Sequence, residues 1–125
     1  MSINKKVLII DNDVTLLEMY AERLRLDGFE VLSTSDSEEG VKLATELKPH
    51  IVLLDVMMPK MDGFQTIEKL KANEATRSIP VIFLTALIQD AMRDKGIRAG
   101  ATDFIVKSET MPGEVINKIK KIIGE

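Results

Sequence analysis

Residues 51–63 read Ile51-Val52-Leu53-Leu54-Asp55-Val56-Met57-Met58-Pro59-Lys60-Met61-Asp62-Gly63. Four apolar residues run without interruption and stop on an acid. The run is too short for a helix. Continuous rather than alternating apolarity describes a strand covered on both faces, as in a parallel sheet. An acid straight after such a strand, followed by Val-Met-Met-Pro, calls for a partner or a metal. Working outward, Val7–Ile10, Val81–Leu84 and Phe104–Val106 repeat the pattern. A weaker run, Glu30–Thr34, has polar ends that suit a more exposed strand near an edge.

Amphipathic segments fill the intervals. Residues 14–26 put Val14, Leu17, Ala21 and Leu24 on one stripe, and Gly28 reads as the C-cap. Residues 37–48 carry Val41, Ala44 and Leu47 behind Ser35 or Asp36 as N-cap, and Pro49 closes them. Residues 64–72 carry Phe64, Ile67 and Leu70. Residues 88–99 carry Ile88, Met92 and Ala99, with Gly96 weakening the helix. Residues 113–123 carry Val115, Ile119 and Ile122. The order βαβαβαβαβα predicts a five-stranded parallel sheet with right-handed crossovers and five helices on both faces.

At 125 residues the chain matches a prior of ~100–200 residues per domain, so one domain over 1–125 is expected. The absence of cysteine excludes a disulfide scaffold, a zinc ribbon, a thiol nucleophile and an iron–sulfur site. A single histidine, His50, excludes a multi-histidine metal site. With 17 basic and 20 acidic residues the net charge is −3, without a basic stripe, and no direct nucleic-acid binding is expected. No apolar run nears the ~18 residues of a membrane helix, and Met1–Lys6 lacks a signal peptide's apolar stretch. A soluble cytoplasmic protein without membrane contact is expected.

The strand ends carry the chemistry. The first run stops at Asp11-Asn12-Asp13, the next buried one at Asp55, then at Thr85, and the last at Lys107. In an open α/β sheet ligands bind at that rim, where the strand order reverses. In the 2-1-3-4-5 order of flavodoxin-like folds the reversal brings Asp11 opposite Asp55. Two converging carboxylates repel, and one pKa rises unless a cation joins them. The donors are hard oxygens, which suit Mg²⁺ or Mn²⁺ better than zinc or copper. Lysine and threonine on the same rim supply a point charge and a hydroxyl to a phosphoryl group. Phosphoryl transfer follows, with Asp55 as the best nucleophile.

Four motifs in order, each at a strand end, resemble a two-component response-regulator receiver domain of the CheY-like kind: Leu8-Ile9-Ile10-Asp11-Asn12-Asp13, Leu53–Gly63, Pro80–Ala86 and Ala99–Lys107. The separations of 44, 30 and 22 residues between Asp11, Asp55, Thr85 and Lys107 are family-like. The resemblance implies that Asp55 accepts the phosphoryl group from a histidine kinase or phosphotransfer protein. It implies Mg²⁺ held by Asp11, Asn12, Asp55 and the backbone carbonyl of Met57. Lys107 would pair with Asp55 or its phosphate, Thr85 would hydrogen-bond the phosphate, and Phe104 would be the aromatic switch. A downstream protein or output domain would dock on the fourth helix, fifth strand and fifth helix. Such a protein is a bacterial-type signalling switch, catalysing only its own phosphorylation and dephosphorylation.

Three positions depart from the pattern. Asn12 stands where the family usually has a second acid, which predicts weaker Mg²⁺ binding and slower phosphorylation. Ser108 replaces the usual proline after the lysine, and a cis bond there would cost ~2.5–4 kcal/mol. Phe104 lacks a tyrosine's hydroxyl. Asn12 also motivates the alternative of a phosphorylation-independent pseudo-receiver docking module. A hydrolase of related chemistry would need an acid where Met57 stands.

Overall fold

In a computed structural model the described residues are 5–86, 89–107 and 112–124. Ten elements alternate: β1 (Lys6–Ile10), α1 (Val14–Leu26), β2 (Glu30–Thr34), α2 (Ser37–Leu47), β3 (Ile51–Asp55), α3 (Gly63–Ala72), β4 (Val81–Thr85), α4 (Asp90–Ala99), β5 (Asp103–Val106) and α5 (Pro112–Ile123). The strands form one parallel sheet in the order β2-β1-β3-β4-β5. β2 is an edge strand and the least buried of the five, as its polar ends predict.

β3 and β4 are buried along their whole length because both faces are covered. Odd-numbered Val7, Ile9, Ile51 and Leu53 join Ile82, Leu84 and Ile105 under α1 and α5. Leu8, Ile10, Val52, Leu54, Val81, Phe83 and Phe104 point the other way, toward α2 and α3. Each fully buried Leu or Ile contributes roughly 1.5–3 kcal/mol, so the sheet is the stable frame.

The helix starts follow from short polar residues. Asp13 accepts from the Leu16 N–H at 3.1 Å and begins α1. Asp36, not Ser35, caps α2. Asp62 and Gln65 form a reciprocal capping box at α3. Three details differ from the sequence reading. The C-cap of α1 is Asp27, and Gly28 follows it with a left-handed φ of 94°. Val14 faces solvent, 54% exposed, and Tyr20 takes the buried place beside Leu17 and Leu24. α4 begins at Asp90, and Ile88 lies outside the described residues.

Candidate functional site

The parallel register sets the strand ends level. Ile10 lies beside Leu54, Asp55 beside Leu84, and Thr85 beside Val106. The residues after these positions therefore share one rim. Asp11 is wholly buried and Asp55 is 4% exposed. Lys107 reaches back between them, its Nζ 2.8 Å from Asp11 Oδ2 and 3.4 Å from Asp55 Oδ2. Thr85 is buried on the same side, and its carbonyl accepts the Lys107 N–H at 2.7 Å. Residues 11, 55, 85 and 107 are brought together.

Backbone amides orient the two carboxylates. Asp11 Oδ1 accepts from the Asp13 N–H at 2.9 Å, and Asp55 Oδ1 from the Met57 N–H at 3.3 Å. Gly63 lets α3 start close against β3. A Cβ there would come within 2.6 Å of the Asp55 carbonyl oxygen and 2.9 Å of the Phe83 ring.

Two buried acids face one ammonium, so the cluster carries unbalanced negative charge. Burial, then the charge of Asp11 and a hydrogen bond with it, push the Asp55 carboxyl up to about 6; Lys107 and the Met57 N–H pull the other way. Burial alone would lower the Lys107 ammonium, but its pairing with Asp11 and then Asp55 outweighs that and holds it above the usual lysine range. Asp11 Oδ2 is buried with no aligned hydrogen bond, so the 2.8 Å contact with Lys107 is a charge contact. A buried acceptor oxygen with spare capacity suits a further cation. Among the described residues no group of three His, Cys, Asp or Glu side chains could hold a metal. Two carboxylates with amide and carbonyl oxygens is the sparser donor set that Mg²⁺ accepts, with water completing the shell.

Asn12 is at the rim and exposed. The Met57 side chain is 71% exposed, whereas Met58 and Met61 are buried and fill space under the loop. Met57, Thr85, Ala86, Gln89 and Met92 line a cleft of about 250 Å³. A larger cleft, about 470 Å³, between α1 and β2 contains none of the rim residues. Ser108, where the sequence departs from the family's proline, lies outside the described residues.

Phe104 is buried, its ring 5.2 Å from that of Phe83, which in turn lies 5.4 Å from Phe64. Gly96 makes room for it: a Cβ at 96 would overlap Phe104 Cζ and reach within 3.2 Å of Phe83. The glycine that weakened the predicted helix is a packing requirement. Arg93 lies over the Phe104 ring at 5.7 Å and Lys95 over Phe64 at 4.4 Å. Tyr20 is buried on the same helix as Leu17 and Leu24, at helical spacing from both. Burial raises its hydroxyl pKa, and the charges of Lys107 and Asp11 reach it with opposite effects.

A parallel α/β sheet with a carboxylate–lysine cluster at its switch point is one class of molecule. Residues 7–120 match the response regulator receiver domain, and the chain belongs to that family. It is a phosphorylation-accepting receiver of the two-component type, a signalling switch, and the docking-module alternative is not favoured. Receiver domains generally bind Mg²⁺ in the active site. The DNA-binding dual master transcriptional regulator RpaA of Synechocystis is 37% identical over 102 residues, covering 82% of this chain and 42% of that protein. The chemotaxis protein CheY4 of Vibrio cholerae superposes with a TM-score of 0.90 at 24% identity, covering 96% of this chain and 99% of the other. The receiver domain of a Pseudomonas aeruginosa sensor histidine kinase, with a magnesium ion coordinated in its active-site cleft, gives 0.88 at 24% identity over 98% and 100%. At that identity both likenesses are of fold.

The chain spans about half the length of the curated relatives it matches. Those relatives correct one expectation. Their names make them regulators of transcription, and that of RpaA makes it DNA-binding, so the separation from nucleic acid drawn from charge does not stand. Net charge over these 125 residues describes the receiver's own surface, not the kind of protein in which such a receiver works. Among the described residues no helix is long and apolar enough to cross a membrane.

Proposed function

We propose that Asp55 is the phosphoacceptor and that the 125 residues act as a single cytoplasmic receiver domain. A carboxylate oxygen of Asp55 attacks the phosphorus of a phosphohistidine on a kinase or phosphotransfer protein. The P–O bond forms as the P–N bond breaks, and the released imidazole nitrogen takes up a proton. Lys107 already bridges Asp55 and Asp11, so its ammonium can follow the charge onto a phosphoryl oxygen (2.8 and 3.4 Å in the resting site). The Thr85 hydroxyl donates to another oxygen. Asp11, Asn12, Asp55 and the Met57 carbonyl would hold Mg²⁺, and the buried Asp11 Oδ2, which has a charge contact with Lys107 but no hydrogen bond, supports that fit. When bound, the ion offsets the negative charge gathering between acceptor and phosphoryl group.

A phosphoryl group brings about −1.5 to −2 charges to the end of β3. Thr85 moves toward it, Phe104 shifts in response, and the α4–β5–α5 face changes its affinity for a downstream protein or output domain. The names of the relatives point to transcription as that output. The only reactions catalysed are the domain's own phosphorylation and dephosphorylation.

One observation carries this reading: two buried carboxylates share a single ammonium at the sheet's reversal point. Incubation with a small phosphodonor and Mg²⁺, read by intact mass, is expected to add one phosphoryl group, and EDTA to prevent it. A mass that never changes overturns the proposal.

A further inference from the structure

We propose that the β2–α2 turn, residues 34–37, is a brace setting the spacing of the two oxygen-bearing loops, with Ser37 as its positioning residue. This rests on the metal-binding reading of Asp11, Asp55 and Met57 above. The turn touches both loops. On one side the Thr34 carbonyl accepts the Asp11 N–H at 3.1 Å. On the other, the Ser37 hydroxyl donates to the Met61 carbonyl at 2.8 Å, across 24 residues of sequence and with both residues buried. Between these contacts the turn is stiff. Thr34 Oγ1 accepts the Asp36 N–H at 3.1 Å, and the Asp36 carboxylate caps α2 at 2.9 Å from the Glu38 nitrogen.

The loop held by Ser37 needs holding. Lys60 sits at a φ of 67°, a left-handed conformation that side-chain-bearing residues avoid. Met61 N–H closes a tight turn onto the Pro59 carbonyl at 2.7 Å, and Gly63 N–H returns to Val56 at 2.8 Å. Without the hydroxyl, the buried Met61 carbonyl loses its partner and turns toward water, letting Lys60 relax. The loop then shifts as a unit, and the Met57 carbonyl at its start shifts with it. Groups standing behind metal ligands commonly matter by ~10–100-fold in affinity.

The test is Mg²⁺ titration of the unphosphorylated protein, well below its unfolding temperature, with hydrogen exchange at the Gly63 amide as a second readout. Ser37→Ala is expected to raise the Mg²⁺ dissociation constant about tenfold and to speed Gly63 exchange. Ser37→Cys, which keeps the packing but donates poorly, is expected to move both the same way and covers the case in which the alanine variant folds badly. Thr76→Ala is the control, since Thr76 makes a similar buried bond to the Leu70 carbonyl at 2.6 Å, at the far end of α3. It should lower stability and leave both readouts unchanged. Wild-type affinity in both Ser37 variants, or equal weakening in Thr76→Ala, overturns the brace. If the wild type binds no Mg²⁺, the metal reading fails instead, and Gly63 exchange alone decides for or against the brace.

Discussion

The two halves of the rim are built differently. On the β1–β3 side, Asp11 and Asp55 sit at the ends of strands covered on both faces, each oriented by a backbone amide, with α1 burying Leu17, Tyr20, Ala21 and Leu24 behind them. On the β4–β5 side, α4 buries only Gly96 among its described residues. It rests on an aromatic row and carries two cations over the end rings. The acids stand on the rigid side, Lys107 reaches them from the end of β5, and α4 is the weakly held neighbour. A switch needs both, because a rigid acceptor without a weakly held neighbour would have nothing to move.

Lys107→Ala tests the rigid half hardest. It leaves two buried carboxylates without a counter-charge and should cost about 3 kcal/mol at pH 8, measured by urea unfolding. Because Asp55 takes up a proton below about 6, the cost should shrink as pH falls. A cost independent of pH would mean that the carboxylates do not depend on this lysine.

Asp55→Asn should stabilise the fold. The folded-state pKa of about 6 lies above the ordinary 3.8, so ionising Asp55 costs the folded state. That penalty is absent below pH 4 and complete above about 6. The variant should therefore gain roughly 3 kcal/mol at pH 8 and nothing at pH 4. Equal stability at both values would remove the strained-acid description.

On the loose half, Gly96→Ala should cost about 1–2 kcal/mol by driving a methyl into the Phe104 ring. The cost should largely vanish beside Phe104→Ala. Additive effects in thermal unfolding would show that the two residues are not coupled. The smallest effect is expected at Asn12→Asp, which should tighten Mg²⁺ about fivefold, close to 1 kcal/mol. Unchanged affinity would exclude position 12 as a ligand.

Much of this was readable from residue order. Continuous apolar runs ending on Asp11, Asp55, Thr85 and Lys107 specify a covered parallel sheet with a polar rim, because a strand's end fixes which loop its next side chain enters. What stayed hidden depends on contacts distant in sequence. Gly96 reads as a defect until Phe104, eight residues later, fills its space. Ser37 reads as an ordinary residue behind a cap until the fold brings Met61 to it. Val14 and Tyr20 differ only in the phase of one helical stripe, which a period of 3.6 leaves open to a residue either way. The link to DNA-binding regulators was not legible either, because charge over one receiver says nothing about the protein in which it works.

The most direct test of the central claim is to label the protein with a phosphodonor and Mg²⁺, trap the acyl phosphate by reduction, and map the altered residue by peptide mass spectrometry. The account predicts modification at Asp55 alone, and none in Asp55→Asn. Modification at another residue, or full labelling of the Asn variant, would contradict it.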